Sequence, residues 1–170
     1  MSATLTRPAV EEVRGWLDAV PDPEIPAVSV TDLGIVRGVE WQGDDLVVAI
    51  TPTYSGCPAT SVIALDIEAA LRAHGVERLR IERRLSPPWT TDWITEEGRR
   101  RLEAYGIAPP AESAGHPSPL QRLSGRPAII ACPLCRSENT SRISEFGSTP
   151  CKAQYRCDDC LEPFDYFKCI

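Results

Sequence analysis

The sequence lacks several features that would each indicate a class of protein. No apolar stretch approaches the roughly 20 residues of a membrane-spanning helix. The opening MSATLTRPAVEEVRGW has neither the basic start nor the apolar core of a secretory signal. Basic residues are in the minority, with 18 Lys and Arg against 24 Asp and Glu and a net charge of −6. Without a secretory signal, we expect the protein to stay in the cytoplasm. An acidic chain gains nothing from counterion release, so we expect it not to bind nucleic acid.

Histidine is scarce, which limits the catalytic chemistry available. His74 ends a predicted helix and His116 lies in a proline-rich stretch, and the sequence has no other histidine. A nucleophilic cysteine needs a base within hydrogen-bonding reach. We therefore expect no Cys–His dyad and predict no catalytic residue.

Cysteine is nearly absent from the first 130 residues and then abundant. Cys57 is the exception, and the other six of the seven cysteines lie in the last 39 residues. In a reducing compartment this clustering indicates metal ligands before disulfides.

The hydrophobic pattern predicts three parts: a compact α/β domain over 1–107, a linker over 108–128 and a small ribbon over 129–170. The first part has the order α-β-β-α-β, and its elements are expected near 8–20, 35–42, 45–52, 58–73 and 76–85. A further short helix follows, with Thr95 as N-cap. Residues 108–127 contain five prolines and two glycines without an apolar period, which is typical of a linker.

The ribbon is predicted to be held by a metal. Its 42 residues are too few to bury a stable core unaided. Two Cys-x-x-Cys pairs, Cys132 with Cys135 and Cys157 with Cys160, are separated by 21 residues, and two such loops complete a tetrahedral site. Structural zinc supplies roughly 10–16 kcal/mol of apparent binding free energy.

Alternatives for these cysteines remain open from spacing alone. The four thiols could be reduced or disulfide-paired, or could hold iron for electron transfer. A nucleic-acid-binding ribbon would use its aromatic side chains as stacking platforms, but the balanced charge of residues 108–170 favours an internal core instead: Tyr155, Phe164, Tyr166 and Phe167. Two additional thiols, Cys151 and Cys169, are either small buried residues or a spare pair for a shared metal.

Cys57 lies in TPTYSGCPATS, between a predicted strand and a predicted helix. Pro58 suits the first helical position, so Cys57 is expected to be the N-cap. Its sulfur would then accept from the N–H groups of Ala59 and Thr60, and the helix dipole would favour the thiolate. Such a thiolate attacks or ligates; the alternative is a small buried capping residue.

Asp22 and Glu24 lie two residues apart in the extended turn DPEIP. Their side chains therefore point the same way and would support a metal or accept hydrogen bonds. Acidic residues beside prolines are also common in solvated turns, so the residues alone leave their role open.

Three ordered motifs carry a family resemblance. DPEIPAVSVTDLGIV, followed by a strand and TPTYSGCP, resembles the iron–sulfur assembly domain of the SufT and cytosolic targeting-factor family, over about residues 8–107. The matching motifs are a D-P-E-x-P turn, a D-L-G-[IL] strand entry and a T-x-x-x-C-P corner. The resemblance implies that the family's corner cysteine is Cys57 and that its acidic turn holds Asp22 and Glu24. We therefore expect Cys57 to bind iron or a cluster transiently, or to contact a client protein, with Asp22 and Glu24 shaping its pocket.

The tail EFGSTPCKAQYRCDDCLEPFDYFKCI resembles that of the D subunits of bacterial phenylacetyl-CoA epoxidase systems, and this likeness covers nearly the whole chain. It implies a non-catalytic accessory factor that matures the oxygenase by delivering iron or an iron–sulfur cluster. The partners would be the other epoxidase subunits, and the cofactors a structural zinc and a transient iron or cluster. A structural adaptor and an iron-binding electron-transfer subunit are the alternatives.

Overall fold

A computed structural model describes residues 7–110 and 129–168. The chain divides into two compact units, Met1–Pro88 and Trp89–Ile170, which we describe separately. Among the described residues, no helix combines the length and apolar character needed to cross a membrane.

The first unit has two helices and a three-stranded sheet in the predicted order. Its elements are α1 (Val10–Leu17), β1 (Val36–Gln42), β2 (Asp45–Ile50), α2 (Thr60–Ala73) and β3 (Leu79–Arg83). The sheet order is β1-β2-β3, with β1 antiparallel and β3 parallel to β2. Strand β2 is central because both of its faces are apolar, and Leu46, Val48 and Ile50 are at most 1% exposed. The predicted α/β fold of this unit is confirmed.

The second unit contains the ribbon together with the segment before it. Its elements are α3 (Glu96–Ala104), β4 (Ile107–Ala108), β5 (Thr140–Ser144), β6 (Lys152–Cys157) and β7 (Pro163–Phe167). The four strands form one sheet of order β4-β7-β6-β5. Helix α3 begins as predicted, because the side chain of Thr95 accepts from the N–H of Gly98 at 2.9 Å.

The chain therefore divides between Pro88 and Trp89, whereas the sequence predicts a boundary near residue 107. Strand β4 pairs in parallel with β7, and Ala108 of the predicted linker lies in it. The Trp89 ring lies 5.9 Å from that of Phe167, which is fully buried. The ribbon strands alone are too short to cover this aromatic core. Residues 111–128 of the predicted linker lie outside the described residues.

The aromatic side chains of the ribbon form its core. Phe164 and Tyr166 are buried, and Tyr155 packs against the same cluster, with its ring 5.9 Å from Phe164 and 5.6 Å from Tyr166. An internal core was expected for these rings, and they are not exposed stacking platforms.

Each Cys-x-x-Cys loop ends in a left-handed residue that is not glycine. Arg136 follows Cys135 and Leu161 follows Cys160, both with φ of 65°. A side chain in this conformation costs about 1 kcal/mol or more relative to glycine.

Candidate functional site

The four ribbon cysteines converge on one point. The sulfurs of Cys132, Cys135, Cys157 and Cys160 all lie within 4.8 Å of one another. The distance is 3.8 Å between Cys132 and Cys160, and 3.5 Å between Cys135 and Cys157. A tetrahedral zinc with bonds of about 2.3 Å separates its sulfur ligands by about 3.8 Å. The donor set and its spacing therefore fit a tetrahedral metal.

Backbone N–H groups of the second cysteine loop stabilise the thiolate form of Cys157. The N–H of Cys160 lies 3.5 Å from the sulfur of Cys157. That hydrogen bond, followed by one from the N–H of Asp159, lowers the pKa of Cys157 to about 7, although burial opposes the shift. The thiolate is the form that ligates a metal, so this sulfur is poised to bind at neutral pH.

Asp159 links the two loops. Its carboxylate accepts hydrogen bonds from the hydroxyl of Ser137 and from the side-chain amide of Asn139, both of which follow the first pair. These bonds, with that from Ser137 the stronger, hold the pKa of Asp159 below its ordinary value. Hydrogen bonds between the two cysteine loops therefore help to hold the four sulfurs in position.

The structure does not bring Cys151 into this cage. Its side chain is buried, and its sulfur lies 3.1 Å from the hydroxyl of Thr149. Cys169 lies outside the described residues, so the predicted pairing of these two thiols remains a prediction.

Cys57 lies in a turn that ends before helix α2 begins. Its N–H donates to the carbonyl of Tyr54 at 3.0 Å, and its own carbonyl accepts from the N–H of Thr60 at 3.3 Å. The hydroxyl of Thr60 also donates to this carbonyl, at 2.9 Å. The N-cap is Ala59, so the prediction that Cys57 caps the helix is wrong. Two consecutive turns are completed before the chain becomes helical, which displaces Cys57 from the cap.

The electrostatic environment of Cys57 also differs from the prediction. Burial raises the pKa of its thiol, and the charges of Glu24 and Asp22 raise it further. The N–H of Ala59 and the hydroxyl of Thr60 lower it, but less than the combined opposing effects. Cys57 is half-buried and favours the protonated thiol, not the stabilised thiolate that a capping position would give.

The acidic turn lies near this thiol. Asp22 is buried, and its carboxylate accepts from the N–H groups of Glu24 and Ile25 at 2.9 and 2.8 Å. It therefore closes the turn in which Glu24 stands half-buried. The structure brings Cys57, Asp22 and Glu24 close enough for both carboxylates to act on the thiol.

Two supports of this site were missed in the sequence. Ser29 and Asp32 bond reciprocally: the N–H of Ser29 donates to the carboxylate at 3.1 Å, and the N–H of Asp32 donates to the hydroxyl at 3.0 Å. The spacing S-x-x-D in SVTD was a readable signal for this box. The guanidinium of Arg83 donates to the carbonyl of Ser55 at 2.6 Å and fixes the corner from β3. No local pattern marks that contact, because its partner lies 28 residues away.

Comparison with known proteins finds two family models that match successive parts of this chain. The model of "Iron-sulfur cluster assembly protein" matches residues 10–78, and that of "PaaD zinc beta ribbon domain" matches residues 116–168. A curated relative from Escherichia coli (strain K12), described as the D subunit of a "Putative 1,2-phenylacetyl-CoA epoxidase", is 49% identical over 99% of this chain and 98% of its own. The chain belongs to the family of phenylacetyl-CoA epoxidase D subunits.

Two solved structures are similar to part of this member of the D-subunit family. A domain of unknown function DUF59 from Bacillus anthracis is 26% identical, with a TM-score of 0.51, over 55% of this chain and 90% of its own. A conserved hypothetical protein from Thermotoga maritima is 29% identical, with a TM-score of 0.49, over 60% of this chain and 98% of its own. Since each covers little more than half of this chain, neither accounts for the whole of it.

Proposed function

We propose that this chain is an accessory factor that helps to mature the oxygenase of a phenylacetyl-CoA epoxidase system. In this proposal Cys57 transiently binds iron or an iron–sulfur cluster, with Asp22 and Glu24 shaping its pocket. The observation that carries it is the position of a half-buried thiol beside two carboxylates, in a chain segment that matches an iron–sulfur assembly domain. The name of the E. coli relative supports the choice of system.

The charges around Cys57 favour a cation over a nucleophilic reaction. Carboxylates repel a thiolate, which disfavours attack by this sulfur at neutral pH. The same carboxylates attract a metal ion, whose positive charge in turn stabilises the thiolate. Thiolate sulfur suits iron–sulfur clusters and zinc, and carboxylate oxygen suits harder divalent ions, so this donor set is compatible with iron. A cargo site therefore explains the arrangement better than a catalytic nucleophile does.

The four ribbon cysteines hold a structural zinc in this proposal. All four sulfurs would be ligands, and a four-sulfur site with no open position is typical of structural zinc. The bound ion supplies a cross-link between the two loops. Iron would also fit the sulfur spacing and would make the ribbon an electron carrier. Metal analysis of anaerobically purified protein distinguishes these possibilities, because the zinc form is colourless and redox-inactive.

The proposal is tested by Cys57→Ser, with Cys151→Ser as a matched loss of a thiol outside both sites. We expect Cys57→Ser to keep its zinc and its thermal stability but to lower the iron content and activity of the co-expressed oxygenase at least severalfold. Cys151→Ser should leave oxygenase maturation unchanged. If the oxygenase matures normally with Cys57→Ser, the chain is an adaptor and not a carrier.

A further inference from the structure

The metal end of the ribbon carries two exposed leucines. Leu134 precedes Cys135 and is 61% exposed, and Leu161 follows Cys160 and is 68% exposed. Cys135 and Cys160 are the two exposed members of the sulfur cluster, and Cys132 and Cys157 are the two buried members. Each leucine is therefore the chain neighbour of one of the two exposed sulfurs. We call the surface made by Leu134, Leu161 and these two sulfurs the knuckle face.

Leu161 differs from an ordinary surface residue in its backbone conformation. Leu161 and Arg136 occupy equivalent left-handed positions, where glycine would be unstrained. Arg136 uses its position to form an ion pair with Glu103 of α3, which gives its side chain a structural role. Leu161 is strained in the same way but buries only a third of its surface. Its side chain thus contributes little to the fold that holds it.

The charges around the knuckle face restrict what can bind there. Two exposed acidic residues are chain neighbours of its members: Asp159 precedes Cys160, and Glu162 follows Leu161; a third, Glu138, lies three residues after Cys135. The neighbouring cations are engaged, because Arg136 pairs with Glu103 and Arg156 pairs with Asp158. Four thiolates around a divalent metal add two further negative charges.

This acidic rim excludes two kinds of occupant. Phosphate backbones are repelled, which disfavours nucleic acid. A second copy of the same face would place like charges opposite each other. A complementary surface instead has an apolar pocket for the leucines and lysine or arginine around it.

We propose that the knuckle face docks a protein of the epoxidase system, through an apolar pocket with a basic rim on that partner. The identity of the partner rests on the proposed function; the docking surface itself does not depend on Cys57. Leu161 is the anchor, and the carboxylates orient the complex and accelerate its formation.

Leu161→Gly tests the docking surface directly. Glycine relieves the left-handed strain, so the full-length, zinc-loaded variant should keep its metal and melt at the same or a higher temperature. Its affinity for purified epoxidase oxygenase subunits, measured by biolayer interferometry, should fall about tenfold or more, the effect of removing a buried leucine. Binding of the parent protein should weaken as salt is raised.

Ile143→Ala is the matched control. Ile143 is 55% exposed in the same ribbon, but lies on β5 away from the cysteine loops, and its loss should leave affinity unchanged. Leu134→Ser gives a second test and should weaken binding in the same direction as Leu161→Gly. Equal affinity of Leu161→Gly and parent, or no binding by the parent, would overturn the docking proposal.

Failure of docking and failure of metal transfer can be told apart. Cys57→Ser should bind the oxygenase with parental affinity while failing to mature it. Leu161→Gly should fail to mature it because it does not bind. If Cys57→Ser matures the oxygenase normally and Leu161→Gly still loses affinity, the docking proposal holds and the transfer proposal falls.

Discussion

At the scale of single residues, the charge of Glu24 and the chemistry of Cys57 are coupled. Burial first, and then the charge of this carboxylate, raise the pKa of the thiol above its ordinary value of 9.0, so the thiol stays protonated at neutral pH. Only the thiolate reacts with iodoacetamide. Glu24→Gln removes the charge while keeping the shape of the side chain. We expect the pKa of Cys57 to fall and its alkylation at neutral pH to accelerate.

The measurement is the alkylation rate of Cys57 against pH, in a zinc-loaded Cys151→Ser, Cys169→Ser background. With Glu24 present, the rate should rise through a midpoint above 9.0; with glutamine, the midpoint should shift downward. Glu40→Gln, an exposed change on β1, serves as the control. An unchanged midpoint in Glu24→Gln would show that burial alone sets the reactivity of this thiol.

Asp22 has a structural role in addition to its charge. Asp22→Ala removes the acceptor of two backbone N–H groups in a buried turn and should lower the free energy of unfolding by about 1–3 kcal/mol. Asp22→Asn keeps an oxygen acceptor and should cost less, while still lowering the pKa of Cys57. Urea unfolding of the two variants separates these effects, and equal losses of stability would argue against the hydrogen-bond explanation.

At the scale of elements, the local sequence pattern predicted those helices and strands that depend on short-range interactions. Helices α1, α2 and α3 and strands β1 to β3 follow from apolar periodicity and end signals. Strand β4 has two residues and exists only through its pairing with β7, about sixty positions later, so no local pattern marks it. The metal cage was predictable because cysteine spacing encodes it directly. Local pattern did not predict the raised pKa of Cys57, because its carboxylate neighbours come from a distant turn that only the family resemblance associated with it.

Removal of the metal should unfold the strands of the ribbon and leave the sheet of the first unit folded. Strands β5, β6 and β7 connect the two cysteine loops, and their core is small, so the metal carries much of their stability. We expect a chelator to abolish hydrogen-exchange protection in β6 while β2 stays protected. Cys135→Ser should have the same effect without chelator, and Cys151→Ser should not. Simultaneous loss of protection in β2 would show that the two units unfold as one.

At the scale of the whole molecule, the two units hold their sulfur atoms in two different arrangements. The ribbon gathers four thiols into a closed cage, whereas the first unit holds one thiol beside two carboxylates. A closed cage suits a resident metal, and a single half-buried thiol suits one that leaves again. The four-cysteine cluster was predicted from the distribution of cysteines along the chain, and the transfer of a metal by Cys57 stays a proposal. The position at which the chain divides depends on tertiary pairing instead.

The division between Pro88 and Trp89 predicts which fragment of the chain forms a stable ribbon. Residues 89–110 support the ribbon through the pairing of β4 with β7 and through Trp89, which packs on the buried Phe167. The guanidinium of Arg99 holds this segment together by donating to the carbonyls of Pro110 and Thr91, at 2.7 and 2.9 Å. A fragment that begins at residue 111 exposes Phe167 to water and leaves one edge of β7 unpaired.

We expect the zinc-loaded fragment 89–170 to be more stable than 111–170 by about 2 kcal/mol, the value of burying one large aromatic side chain. For a chain of this size the difference corresponds to a melting temperature roughly 10 °C higher. Calorimetry of both fragments measures it, and Trp89→Ala in the longer fragment should remove much of the gain because it uncovers Phe167. Equal melting temperatures for the two fragments would instead place the boundary near residue 107, where the linker composition predicts it.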